Sequence, residues 1–256
     1  MQLEDTLFDV HEEPVFTKDG EQQPYKQIVQ SNTGKTLAIH SADYQLVTNK
    51  EVLDSVEPIM DYFGGKLHRV RNFANRRFFW EYRLDDRIVT INSSDISNDE
   101  IIPRIIVSNS YDGQVIFRLN IAAMRLICTN GMMAPMPGKE KVDIKLKHYN
   151  EAIDMNQIFI EGKAGVNTML NQFDASQEIF EMMADRKATP DEIQKIMQLF
   201  GKGYHKEFIN CVGIEGHETL WNVYNAGTRL ITHYMLSERA LKLENDLFLT
   251  INRWLN

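Results

Sequence analysis

The chain has 256 residues, of which 43% are hydrophobic and 25% are charged, and its formal net charge is -8 at pH 7. A chain of this size can bury a core as one large domain or two small ones, and its acidity argues against general affinity for nucleic acid. Its two cysteines are far apart and form no CxxC pattern, which argues against a disulfide framework and favours a reducing compartment. No apolar run approaches the ~20 residues that span a bilayer, and the acidic start is not typical of a signal or transit peptide. We therefore expect a soluble cytoplasmic protein.

The N-terminal residues 1–24 are predicted to be a flexible acidic arm. Five acidic residues repel one another there, and no hydrophobic period is visible: Glu4, Asp5, Asp9, Glu12 and Glu13. The segments YKQIVQ and KTLAIH then predict a β-hairpin whose turn lies at 32–34, and YQLVT at 44–48 predicts another short strand.

The clearest helix is predicted over 49–63. Thr48 and Glu51 have the spacing of a capping box, and Gly64 follows as a stop. One face of this helix is apolar at helical spacing, with Val52, Leu53, Val56, Ile59, Met60 and Phe63. Antiparallel strands are predicted to follow over 66–119.

These strands carry the strongest local signal for function. Residues 66–87 hold seven basic and three acidic residues, a net charge of +4 in an acidic chain. In RFFWEYRL (77–84) the alternation predicts a core face with Phe78, Trp80, Tyr82 and Leu84 and an open face with Arg77, Phe79 and Arg83. By the same rule Arg69, Arg71 and Phe73 share one face of the preceding strand, and Arg104 and Arg118 can reach a solvent face in the next two. Lys145 and Lys147 could extend this row of positive charges. Arginines suit a phosphate backbone, and Phe73 or Phe79 would be a stacking platform for a base; solvation of an ordinary sheet face is an equally good explanation.

The rest of the chain is predicted to be mainly helical. IAAMRLIC (121–128) reads as a short buried helix, although a strand is possible, and MMAPMPGKEK (132–141) marks a boundary. The segment KVDIKLKHY after it predicts one more strand. Thr189 and Pro190 start a helix, and Leu220, Trp221 and Tyr224 begin another. We expect an α+β fold: an antiparallel sheet with packed helices as an α+β core over 25–135, then a mostly helical C-terminal region over 136–256.

Other patterns argue against catalysis. SNTGKT (31–36) lacks the first glycine of a phosphate-binding loop, because Val29 stands in its place. The seven histidines form no HExxH or His-x-x-His pair, and no G-x-S-x-G frames a serine. We expect no enzyme, no cofactor and no metal site.

Three segments resemble a known family: YKQIVQSNTGKTLAIHSADYQLVTNKEVL (25–53), IVSNSYDGQVIFRLNIAAMRLICTNGM (106–132) and LWNVYNAGTRLITHY (220–234). Their order and spacing are similar to the phage/plasmid-like family of uncharacterised proteins, with SNS-DG and CTNGM as the most specific parts. The order of helix, strands and helix is also similar, at fold level only, to the single-strand annealing recombinases of the Redβ, RecT and Erf type. That likeness implies rings or filaments that hold single-stranded DNA without ATP, in a bacterial host cell.

Together these observations favour a phage-type single-stranded DNA-binding or annealing protein that acts in recombination or replication. The alternative is a protein-interaction module, such as a host-takeover or anti-defence protein. A homo-oligomer, as a ring or filament, is expected from the resemblance. The methionine-rich helices after 150 add apolar surface for such assembly: Met155, Met169, Met182, Met183 and Met197.

Overall fold

A computed structural model describes residues 2–91, 99–115, 117–125, 131–132, 144–146, 155–235 and 240–255. It divides into two units. Unit 1 comprises Met1–Leu84, Ile105–Asn120 and Val142–Asn167. Unit 2 comprises Asp85–Arg104, Ile121–Lys141 and Thr168–Asn256. Both units draw on separated stretches of chain, whereas the division expected from the sequence used contiguous blocks.

The fold is α+β, as predicted, with antiparallel strands and packed helices. The strands of the described residues are β1 (Val10–Phe16), β2 (Gln22–Gln30), β3 (Lys35–Ser41), β4 (Lys66–Phe73), β5 (Arg77–Arg83), β6 (Val89–Ile91), β7 (Asp99–Ser110), β8 (Phe117–Arg125), β9 (Gly131–Met132) and β10 (Ile144–Leu146). The helices are α1 (Asn49–Tyr62), α2 (Met155–Ala175), α3 (Gln177–Asp185), α4 (Pro190–Leu199), α5 (His205–Glu215), α6 (Leu220–Tyr234) and α7 (Ala240–Leu255).

The described strands form two sheets. A three-stranded sheet has the order β1-β2-β3, and a larger sheet has the order β10-β8-β7-β5-β4. In unit 2, β6 pairs with the first residues of β7, and β9 pairs with Ala123 and Met124 of β8.

The core of unit 1 lies between β5, α1 and the N-terminal segment. Phe78 and Trp80 are fully buried, the ring of Phe8 lies 5.9 Å from that of Phe78, and Trp80 Nε1 donates a hydrogen bond to Thr6 Oγ1 at 3.2 Å. Asn49, at the start of α1, donates from Nδ2 to the Thr6 carbonyl at 2.8 Å. The N-terminal residues therefore pack against this core.

The SNS-DG motif forms a buried polar network at the end of β7. Asn109 Nδ2 donates to Asn49 Oδ1 at 2.9 Å and to the carbonyl of Val47 at 3.1 Å. The Tyr111 hydroxyl accepts from the Asn49 backbone N–H at 3.1 Å, and His40 Nε2 donates to the Tyr111 carbonyl at 2.7 Å. Buried polar groups need such partners, so this motif has a structural explanation: it joins β3, α1 and β7.

The core of unit 2 is centred on α6. Thr219 caps this helix, with its side chain accepting from the Asn222 backbone N–H, and Trp221 and Tyr224 are fully buried. Gly227 lies where a Cβ would come within 2.6 Å of Leu247 Cδ2, so α6 and α7 pack closely at this point.

Several local predictions are confirmed. The hairpin of β2 and β3, the helix α1 with its Thr48 and Glu51 capping box, and the start of α4 after Thr189 all form as expected. Part of the strand predicted over 141–149 is present as β10, and the other residues of that segment lie outside the described ones.

Other local predictions are wrong. Residues 10–16, inside the predicted flexible arm, form β1, because backbone pairing with β2 offsets the repulsion of its acidic side chains. Residues 121–125 continue strand β8 instead of starting a helix, since an apolar run can equally form a buried strand. Residues 44–48 form no strand.

Candidate nucleic-acid interface

The hairpin of β4 and β5 gathers most of the predicted site residues. Its ladder places Arg69 opposite Glu81, Arg71 opposite Phe79, and Phe73 opposite Arg77. Directly opposed residues of an antiparallel pair share one face. We call this face the arginine face; its members are Lys66, Arg69, Arg71, Phe73, Arg77, Phe79, Glu81 and Arg83.

A β-bulge in β4 places Lys66 on the arginine face, which the sequence pattern did not predict. The register shifts between Leu67 and Arg69, so that His68 is the extra residue and Lys66 lies opposite Arg83. Strict alternation would have put Lys66 on the face opposite to Arg69, but one inserted residue reverses it. The sequence carries no distinct signal for this bulge.

The turn that joins the two strands has an unusual backbone. Ala74 and Asn75 have φ angles of 56° and 59°, in the left-handed region. Asn72 stabilises the turn by accepting from the Asn75 backbone N–H at 2.8 Å, and the Arg76 backbone N–H donates to the Phe73 carbonyl at 3.0 Å. Two successive positive φ angles match the right-handed twist of a hairpin, so the side chain of Arg76 is held, exposed, at its tip.

Two acids neutralise part of the positive charge. Arg71 Nη2 lies 2.9 Å from Glu81 Oε1, and Arg77 Nε lies 2.7 Å from Asp112 Oδ2. Arg69 and Arg76 make no ion pair with any residue in the described part of the chain. The arginine face itself holds five cations and one acid, and Asp112 beside it is a second acid.

The rings of this face are less accessible than the sequence suggested. Phe79, predicted to lie open, is only 6% exposed, so this prediction is wrong. Phe73 is half-buried and packs edge-on against Phe79, with ring centroids 5.8 Å apart and an interplanar angle of 83°. Such T-shaped pairs are favourable. Phe79 is thus the buried ring of this pair, and Phe73, which packs against it, is the ring that keeps exposed area.

The opposite face of β5 is core, as predicted. Phe78, Trp80, Tyr82 and Leu84 are all buried. Burial, together with the nearby carboxylates Glu57 and Asp61, raises the pKa of Tyr82 well above its ordinary value. The alternation in the sequence therefore identified this core face, although Phe79 and Glu81 on the arginine face are buried as well.

Arg104 does not belong to the interface. It was predicted to reach a solvent face, but it is 1% exposed, and in unit 2 its Nη2 lies 2.6 Å from Glu244 Oε2. A buried guanidinium needs a compensating charge, and the partner is on α7, 140 residues away in sequence. Sequence spacing could not reveal this pair.

The remaining predicted contacts are described in part. Backbone pairing places Lys145 of β10 opposite Arg118 of β8. The two residues thus share one face of the larger sheet by register. Lys147 lies outside the described residues.

A hydrogen-bonded serine, histidine and glutamate lie at the surface of the smaller sheet. His11 Nδ1 is 2.9 Å from Ser31 Oγ, and His11 Nε2 is 2.9 Å from Glu13 Oε1. Hydrolase triads use a buried carboxylate to orient the histidine, whereas His11 and Glu13 are 48% and 45% exposed here. The Ser31 backbone N–H is already donated to the Asp9 carbonyl. We interpret this row of hydrogen bonds as a structural link that holds β1 to the β2–β3 turn.

Other catalytic chemistry finds little support among the described residues. Burial raises the pKa of the Cys211 thiol to about 11, which disfavours the reactive thiolate. A search of the described residues for three or more histidine, cysteine or acidic groups able to hold a metal ion found none. Within the same residues, no helix has the length and apolar character needed to cross a membrane.

Comparison with known proteins supplies a family. Searches of curated proteins and of solved structures found no match. The sequence profile of a family described as a domain of unknown function (DUF932) matches residues 36–208, which include α1, the arginine face and the SNS-DG network. The chain therefore belongs to the DUF932 family.

Proposed function

We propose that the protein binds single-stranded DNA through the arginine face, and that it does so in a phage or plasmid setting as an annealing or strand-protecting protein without ATP. The observation that carries this proposal is the register of β4 and β5. It aligns Lys66, Arg69, Arg71, Arg77 and Arg83 on one face, where Arg71 pairs with Glu81 and Arg77 pairs with Asp112. Cations arranged along a strand can each neutralise a phosphate and release a counterion.

The preference for single strands rests on Phe73. A base can stack on an exposed ring only when it is not paired in a duplex. Phe73 is half-buried with Phe79 as its support, so it offers one platform rather than two. We therefore expect affinity to come mainly from phosphate contacts, with a modest preference for single strands.

The test is a fluorescence anisotropy titration with labelled single-stranded and duplex DNA over a range of salt concentrations. For single strands the logarithm of the binding constant falls with the logarithm of salt by about 0.7 per neutralised phosphate. The double variant Arg69→Ala/Arg76→Ala removes two cations without ion-pair partners in the described structure. It should therefore reduce the slope by about 1.4 while leaving the fold intact.

A matched control removes the same charge elsewhere. Lys50 and Lys242 are exposed and each pairs with an aspartate one helical turn away. The variant Lys50→Ala/Lys242→Ala changes the net charge equally but leaves the arginine face untouched. If both double variants lose the same amount of binding, the loss reflects net charge and not the arginine face. If the wild type binds no single-stranded DNA at low salt, the protein-interaction module is favoured instead.

A further inference from the structure

The N-terminal segment has a charge opposite to that of the arginine face. Residues 1–17 contain five acidic residues and no lysine or arginine. Residues 66–83 contain six cations and the single acid Glu81. The formal charges are therefore -5 for the first segment and 6 - 1 = +5 for the second. We call residues 4–13 the acidic segment.

Part of this charge remains available on both sides. Glu12 pairs with Lys26 at 2.9 Å, and Glu13 pairs with His11. Glu4, Asp5 and Asp9 are exposed and make no ion pair with any residue that the structure describes. On the β4–β5 hairpin, Arg69 is half-buried and Arg76 at the tip is exposed, and neither makes an ion pair with a residue that the structure describes.

The two surfaces of one chain are kept apart by the core. Thr6 and Phe8 of the acidic segment contact Trp80 and Phe78, which lie on the face of β5 opposite to the arginine face. Pairing of β1 with β2, which begins with Val10 opposite Gln30, fixes the other end of the segment. The acidic segment therefore cannot fold over onto the arginine face of its own chain without leaving the core.

We propose that the acidic segment of one copy docks on the arginine face of a second copy. The two surfaces differ, so the contact is heterologous and repeats from copy to copy, giving a ring if the rotation closes and an open filament if it does not. Charge complementarity of this kind fixes orientation and weakens with salt. The assembly does not depend on the proposed DNA binding; only the expectation that DNA competes for the same arginines rests on that function.

The test uses two charge-reversed variants of the full chain in sedimentation velocity experiments. The first, Glu4→Lys/Asp5→Lys/Asp9→Lys, makes both surfaces positive. The second, Arg69→Glu/Arg76→Glu, introduces one acid on the arginine face and one at the tip of its hairpin. At low salt the wild type should sediment as multiples of 29.7 kDa and should dissociate at high salt. Each variant alone should remain a monomer, and an equimolar mixture should form heterodimers, because the unchanged acidic segment of the second variant can dock on the unchanged arginine face of the first.

Three outcomes would overturn the proposal: a wild type that stays at 29.7 kDa at low salt and high concentration, variants that assemble alone as the wild type does, or a mixture of folded variants that stays monomeric. Circular dichroism melts check that the variants are folded. If the triple variant fails to fold, the milder change Glu4→Gln/Asp9→Asn must still weaken assembly severalfold. The triple variant also separates the two proposals, because it keeps its arginines and should bind single-stranded DNA at least as well as the wild type.

Discussion

Removal of Arg104 is expected to destabilise the fold rather than to weaken DNA binding. Its guanidinium and the Glu244 carboxylate are 2.6 Å apart, with side chains 2% and 1% exposed. Tyr224 beside them is fully buried, and burial together with Glu244 raises the pKa of its hydroxyl while Arg104 lowers it. Arg104→Met would remove the positive charge that lies 2.6 Å from the buried Glu244 carboxylate. Breaking a buried pair in this way costs about 3–5 kcal/mol.

The assay is urea denaturation of single and double variants. Arg104→Met should lower the free energy of unfolding by the amount above, whereas Arg104→Met/Glu244→Leu should recover most of it, because removing both charges also removes their desolvation penalty. The coupling energy of this cycle should therefore be several kcal/mol. Lys242 and Asp246, an exposed pair on the same helix, are the control: Lys242→Met should change stability by less than about 1 kcal/mol.

Two results would contradict this explanation. If Arg104→Met unfolds like the wild type and reduces the salt dependence of DNA binding, Arg104 lies at the solvent face that its sequence position suggested. If instead the single variant is destabilised and the double variant is not rescued, the loss comes from packing of the arginine stem and not from the uncompensated carboxylate.

Three further changes test the packing of other elements by urea denaturation. Trp80→Ala should cost about 3–5 kcal/mol because the buried indole and its hydrogen bond to Thr6 are lost; a stable variant defective in DNA binding would show that the register of β5 is wrong by one residue. Gly227→Ala should destabilise by about 1–3 kcal/mol through overlap with Leu247, despite the better helix propensity of alanine, and the same change should cost less in a Leu247→Ala background, where the overlap is absent. Ala74→Gly should stabilise by up to about 1 kcal/mol because it relieves a left-handed φ of 56°, and an unchanged or lower stability would contradict this.

Local rules predicted much of the secondary structure and one face of the candidate site. A period of two separated Trp80 from Arg77, because both faces of β5 are marked by residue type. Capping boxes identified the starts of α1 and α4, since a threonine and a glutamate three residues apart satisfy backbone groups without help from the rest of the fold.

The predictions that failed depend on contacts between distant residues. Arg104 is buried because Glu244 of another element neutralises it, and no local pattern records that partner. Phe79 has the sequence position of an open residue but is only 6% exposed, with Phe73 packed edge-on against it. The acidic strand β1 forms because β2 supplies hydrogen-bonding partners, which outweigh the repulsion expected from composition alone.

The alternation of the chain between the two units has a consequence for how the protein is made. The backbone passes from one unit to the other after residues 84, 104, 120, 141 and 167. On the ribosome, unit 1 is complete only after residue 167 has emerged, and unit 2 only after the last helix. Contacts of such long sequence separation form slowly. No single cut yields either unit whole and free of the other, so a truncated gene product is expected to expose apolar surface and aggregate, and variants are best produced in the intact chain.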